Sequence, residues 1–407
     1  MLRFHNQVVD DNPGLDFLSV QRIVRWHYQW VVIHDFLPRI ICGHVIESLK
    51  TNGLYDQKRL KFYHWKKDPF IPVEFSVAAY RLGHSMIRPG YRLNDDDATL
   101  LPIFPIPPGF PGAPAGGISP GLTGFQAVAK NRGIDWGRFI DIGTVRARGE
   151  DPGSIEPPRS PTGDIKKRLQ FAYRIDTSVV TPLSVLPKAV APDPPGSLAQ
   201  RNLLRGFELG LPTGQSVAKA MGVTPLTDEE IIIGKAVDAG DSGPGDVRGS
   251  IATLSTLSAF QGECPLWTYI LAEAMKNAIK VSIPVIQPVL VTTPQLGEVG
   301  GRIVAEVFLG MLFGDNDSFL SADPQWIPTI GGAKKDFTLR DIVAYALGPQ
   351  PSANGQVAIL SKTIPTGVSQ RQHIELNDNR FSSTDSRIAN LETYMQEIRT
   401  HLKLQLM

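Results

Sequence analysis

In the stretch FLSVQRIVRWHYQWVVIHDFLPRIICGHVIESL, Phe17, Val20, Ile23, Val24, Trp30, Val31, Ile33 and Phe36 fall mostly three or four residues apart. That period predicts a long, largely buried helix, which Pro38 interrupts or kinks because it has no N–H to donate. In PFIPVEFSVAAYRLGHSMIRPG, Pro72 stands near a first turn, Glu74 follows it, and Pro89-Gly90 closes the run. The bracket predicts a helix of about four to five turns. Further helical runs are FQAVAKNRG, SLAQRNLLRGFELG, GQSVAKAMG, PLWTYILAEAMKNA and GEVGGRIVAEVFLGMLFGD. KVSIPVIQPVLVTTP is strand-like, and its prolines mark it as an insertion between helices. Prolines and glycines crowd LPIFPIPPGFPGAPAGGISPGL, so residues 101 to 122 are expected as an extended surface loop. The class is mainly α, with long Pro/Gly-rich loops.

Residues 1–348 read as one helical domain. After FTLRDIVAYALG the chain turns polar, and residues 349–385 read as a linker or weakly ordered tail. Within residues 386–407, Ile388, Leu391, Met395, Ile398 and Leu402 alternate steps of three and four, the spacing of a coiled-coil seam. About two heptads are present, where roughly three to four make a convincing coiled coil. Docking of this amphipathic helix onto the main domain is the favoured expectation, and homo-oligomerisation through residues 386–404 is the alternative.

Composition narrows the function. Lys+Arg number 41 and Asp+Glu 40, a net charge of +1, so no field draws the chain to nucleic acid or an anionic membrane. Cys42 and Cys264 are too few for a disulfide framework and lack the paired spacing of a zinc site. No uninterrupted apolar stretch reaches the roughly 18 residues of a spanning helix. The start MLRFHNQVVD is polar and helix-like and has no signal-peptide pattern.

Within EFSVAAYRLGHSMIRPGY, His84 stands in an apolar run with Arg81 one turn before it and Tyr80 at the other near-neighbour position. Burial and a neighbouring cation both keep an imidazole neutral, the form a metal requires. A histidine in such a run is more often a core residue bonded to a carbonyl, so the ligand reading needs support from elsewhere. No second histidine or carboxylate stands at a matching helical offset, which disfavours a zinc hydrolase. An axial ligand for heme iron needs one histidine, an apolar slot and cations for the propionates. RNLLRG supplies Asn202 and Arg205 on one face of a predicted helix. An asparagine carbonyl can accept the spare ring N–H of a ligating histidine, and arginines at 81 and 205 can pair with propionates.

AAYRLGHSMIRPGY resembles the proximal-histidine helix of the animal-type heme peroxidases, the myeloperoxidase-like peroxidase–cyclooxygenase superfamily, and is closest to its microbial members. SLAQRNLLRGFELGLPTGQSVAKAMG is similar to the family's later segment, which carries an asparagine and an arginine. LRFHNQVVD, VRWHYQWVVIHDFLPRI and GEVGGRIVAEVFLGMLFGDNDSFLSADPQWIP are similar to further helices, so the resemblance covers roughly residues 1 to 348. It implies that His84 is the proximal ligand of a heme b iron, that Asn202 bonds it, and that Arg81 and Arg205 flank the heme on that side. It also implies hydrogen peroxide as one substrate and a small organic or halide electron donor as the other. The family's distal histidine, distal arginine and calcium loop lie upstream of or around its LRFHN-like segment and have no counterpart here. Phe207-Glu208 replaces the aspartate and histidine that often follow the family's arginine. No catalytic residue is therefore assigned to this chain, and slow peroxidase turnover is expected. The competing expectation is a heme-binding or oligomerising module without catalysis. His5, His27 and His34 are expected in structural or surface roles, and His64 in a loop.

Overall fold

The computed structural model describes residues 1–94, 100–105, 121–123, 130–140, 142, 170–237, 248–283 and 289–348, with two residue pairs at 350–351 and 357–358. Helices dominate it. They are α1 (Leu2–Asp11), α2 (Phe17–Val31), α3 (Leu37–Ile40), α4 (Gly43–Ser48), α5 (Thr181–Ser184), α6 (Leu198–Glu208), α7 (Gly214–Ala220), α8 (Leu266–Lys276), α9 (Glu298–Phe313), α10 (Phe319–Ala322) and α11 (Leu339–Leu347). Described strands occur only as two-stranded antiparallel pairings, the longest joining Ile279–Ile283 to Val289–Thr293, with Ile279 opposite Thr293. This hairpin is the expected strand-like insertion between α8 and α9. Most of the 101–122 loop, most of FQAVAKNRG and the whole 386–407 segment lie outside the described residues.

The helix from Phe17 begins as expected, with Asp16 accepting Ser19 N–H at its N-cap. It stays α-helical only to Val31. Residues Val32–Phe36 widen into a π turn in which Leu37 N–H reaches back to Val32 O. Pro38 explains the widening: its ring would crowd the carbonyl four residues back, and it leaves that carbonyl without a donor. The disturbance therefore falls upstream of the proline. Phe17, expected in the stripe, is exposed, whereas Val20, Trp30, Val31 and Ile33 are buried.

α8 and α9 are buried on nearly every side and form the centre of the core. Glycines allow the approach: a Cβ on Gly300 would lie 2.9 Å from Ile270 Cβ, and one on Gly301 2.8 Å from Ile41 Cγ2. The N-terminus of α9 has glycine at its N-cap, and Glu273 of α8 takes over the capping. Its two carboxylate oxygens accept the N–H groups of Val299 (2.9 Å) and Gly300 (3.0 Å). Burial pushes this carboxyl up to about 7, against the pull of those two bonds. Further along α9, Glu306 accepts Arg302 Nη1 at 2.9 Å and the backbone N–H groups of Phe62 and Tyr63 at 2.8 and 3.0 Å. This buried pair ties the loop that precedes His84 onto the central helix.

Candidate functional site

The run expected as a continuous helix from Pro72 to Pro89 is two short coils of different pitch. Glu74–Ala78 forms a π turn and Ala79–His84 a 3-10 helix, joined at Ala78 with φ −122° and ψ −73°. The coil ends with three-residue bonds, Ser85 N to Leu82 O and Met86 N to Gly83 O, ahead of Pro89. Tertiary contacts hold this pitch. Arg81 Nε donates to Ser76 O at 3.2 Å, back across the joint, and Trp267 Nε1 of α8 donates to Arg81 O at 3.4 Å. In a 3-10 helix residues three apart eclipse, so Arg81 and His84 align on one side. Residues four apart do not, and Tyr80 turns away from His84. Its ring stacks on Phe75 at 4.7 Å, meets Phe308 edge-on at 5.3 Å and stays 45% exposed.

Asn202 faces that aligned pair from α6, a helix capped by Ser197 and burying Asn202 and Leu203. Asn202 is 1% exposed. Its Nδ2 lies 2.8 Å from His84 Nδ1, and its Oδ1 accepts Arg81 Nη1 at 2.6 Å. The sequence thus brings Arg81, His84 and Asn202 together across more than a hundred residues. The polarity differs from the expectation, because the carbonyl oxygen meant for the imidazole is held by the guanidinium. His84 is half-buried, and its Nε2 makes no hydrogen bond to a described residue. Burial, then the charge of Arg81, holds the imidazole below the usual histidine range.

Arg205 stands one turn after Asn202, with its side chain 54% exposed and its nearest carboxylate, Glu208, at 3.9 Å. Burial, then the charge of Arg205, lowers Arg81. Arg205 is thus within electrostatic reach of Arg81, the cation that acts on His84. Trp267 and Ser76, which fix the carrier segment, were missed from sequence; one is an ordinary core aromatic and the other acts through its backbone.

Three other described histidines are engaged elsewhere. His27 is fully buried, with Nδ1 2.7 Å from Ile23 O and Nε2 accepting Thr329 N and Ile330 N at 3.0 and 3.2 Å. His34 stacks on Trp30 at 3.7 Å, and burial pushes its pKa down to about 4. His64 lies in a loop, its Nε2 3.1 Å from Lys61 O. Both cysteines are buried and unpaired. Among the described residues no three His, Cys, Asp or Glu side chains gather as a metal-holding group. No described helix is long and apolar enough to cross a membrane.

Residues 2–104, which carry both Arg81 and His84, match the animal haem peroxidase family. The match is to part of the family's domain, and Asn202 and Arg205 lie beyond it. No curated protein matches the chain. The partial match and the mainly helical fold agree, and they support a peroxidase-like function in general, with the heme that the family implies.

Proposed function

We propose that this chain is a heme peroxidase domain in which His84 holds the iron of heme b, hydrogen peroxide is reduced, and a small organic or halide donor is oxidised. The observation that carries the reading is the pairing of His84 Nδ1 with Asn202 at 2.8 Å, which orients a neutral imidazole and leaves Nε2 without a protein partner. The donor set fits the group: a neutral imidazole, with the Arg81 guanidinium beside it and Arg205 within reach of Arg81 for carboxylates. Heme, when bound, supplies the electron transfer to peroxide. The chain's own residues hold and aim it: His84 through Nε2, Asn202 by fixing the ring, and Arg81 and Arg205 by pairing with propionates. Hemin titration of wild type and His84→Ala tests this, with a specific Soret band expected in the first and lost in the second. Equal bands in both would sink the assignment.

The second reading is a heme-binding or structural module without turnover. It draws support from His27, whose two ring nitrogens are both engaged, and from His34, which is stacked and held neutral, so neither is free to move a peroxide proton. Peroxide-dependent oxidation of a phenolic donor by the heme-loaded chain separates the two readings.

A further inference from the structure

The run QKRLKFYHWKK holds five of the chain's 41 basic residues, Lys58, Arg59, Lys61, Lys66 and Lys67, and no Asp or Glu. The near-zero net charge of the whole chain averages over this local field. All five side chains belong to exposed residues. Among the described residues none of them forms an ion pair with a carboxylate. Nearby acids are committed elsewhere: Asp56 accepts Lys58 N–H and the Thr51 hydroxyl, and buried Glu306 accepts Phe62 N–H and Tyr63 N–H. Asp68 borders the run and offsets one of the five charges.

The same loop turns apolar side chains to solvent. Phe62 is 44% exposed, Phe70 52%, Ile71 56% and Val73 41%. The backbone beneath them is fixed. Tyr63 closes the loop, its hydroxyl donating to Phe70 O at 2.5 Å and accepting Phe70 N–H at 2.8 Å. Its ring is buried against α9, where a Cβ on Gly310 would fall 2.1 Å from Tyr63 Cδ1, and one on Gly314 would fall 2.1 Å from Pro69 Cγ and 3.1 Å from Trp65 Cε2. With Tyr63, Trp65 and Pro69 anchored inward, Phe62, His64, Lys66, Lys67, Phe70 and Ile71 are left outward. Lys58 and His64 line one open cleft, which brings the two basic stretches to a common border.

We propose that residues 57–73 form a docking surface for an anionic lipid bilayer, with the five cations on headgroups and Phe62, Phe70 and Ile71 at the acyl boundary. A solvated charge run has no need of exposed Phe and Ile beside it, whereas a bilayer interface uses both: its anionic groups take the cations and its hydrocarbon edge takes the apolar tips. Aliphatic Ile71 and Val73 favour lipid over single-stranded nucleic acid, whose bases stack on aromatic rings. Attachment of this kind is peripheral and independent of heme.

Co-sedimentation of the full chain with phosphatidylcholine vesicles, with and without phosphatidylserine, tests the surface. Wild type should bind the phosphatidylserine vesicles, bind the pure phosphatidylcholine vesicles far more weakly, and be released as salt rises. Lys66→Gln with Lys67→Gln should weaken binding about thirtyfold, at about fivefold for each basic residue. Ile71→Ser should weaken it about tenfold through lost apolar burial. Lys219→Gln with Lys335→Gln removes the same charge from exposed positions elsewhere and should leave binding unchanged. All the substituted side chains belong to exposed residues, so the fold is retained in each variant. No binding to phosphatidylserine vesicles, equal binding of wild type and either loop variant, or an equal loss in the control pair overturns the proposal. Binding of a single-stranded oligonucleotide in place of vesicles overturns it in favour of nucleic acid.

Discussion

Asn202 is a buried amide whose two partners both lie on the His84 segment. Asn202→Leu keeps the branched shape but strips Arg81 Nη1 of its acceptor, and it should cost about 1–3 kcal/mol, read as a lowered urea midpoint. An unchanged midpoint would mean that water or another acceptor replaces the amide. His34 governs acid sensitivity. Its folded pKa of about 4 lies below the ordinary 6.5, so the neutral ring stabilises the fold above pH 6.5 and that contribution is lost as pH falls from 6.5 toward 4. Glu273 works in the opposite sense: raised to about 7, it favours the fold at low pH and gives that up as pH rises from the ordinary carboxylate range through 7. A single pH curve mixes the two. His34→Phe, which keeps a ring against Trp30, should reduce the stability difference between pH 7.5 and pH 5 by about 2 kcal/mol. The comparison of urea midpoints at those two pH values measures it.

Helix identity was legible wherever burial follows a single period. α6 and α7 coincide with the runs read from sequence because one face of each is covered, and α8 and α9, buried nearly all round, coincide because their apolar runs are long. Pitch was not legible around His84. There the coil is set by Arg81 reaching Ser76 O and Trp267 reaching Arg81 O, contacts between residues that no local pattern links. Pro38 was legible as a disturbance, but the π turn that absorbs it lies upstream, where Val32–Phe36 reads as ordinary helix. Arg81, His84 and Asn202, grouped through the family resemblance, lie within hydrogen-bond reach of one another, whereas the direction of the Asn202 bond depends on Arg81 and needs three dimensions. Packing between elements gives a further expectation. A Cβ on Gly214 of α7 would fall 2.0 Å from the Tyr269 ring of α8, a buried ring whose hydroxyl bonds Leu226 N at 2.9 Å. Gly214→Ala should therefore destabilise by about 1–3 kcal/mol through overpacking, seen in thermal unfolding. A neutral result would show that α7 slides on α8 at little cost.

At the scale of the whole molecule, the described core draws all its buried residues from Phe4 to Ile342, with Tyr345 packed against it. α11 closes that core under a capping box of Thr338 and Asp341 and ends at Gly348, whose φ of 68° suits glycine. Removal of residues 385–407 should leave hemin affinity unchanged, because the polar stretch ahead of them has too little apolar content to tie them into the core, and a fall in affinity would show that the C-terminal segment is part of the fold that holds heme. The two-pitch coil sets a limit on engineering this protein. Six residues at 3-10 rise span about 12 Å where α-helical rise gives about 9 Å, and three residues turn about 60° further. A metal bond tolerates errors of about 0.2 Å, so stiffening and aiming compete in this segment. Gly83 has open space around a Cβ and no positive φ, so alanine fits there sterically while favouring α-helix by about 1 kcal/mol. On the proposed heme reading, Gly83→Ala is thus a substitution that a stability screen would keep and a heme-affinity screen would reject.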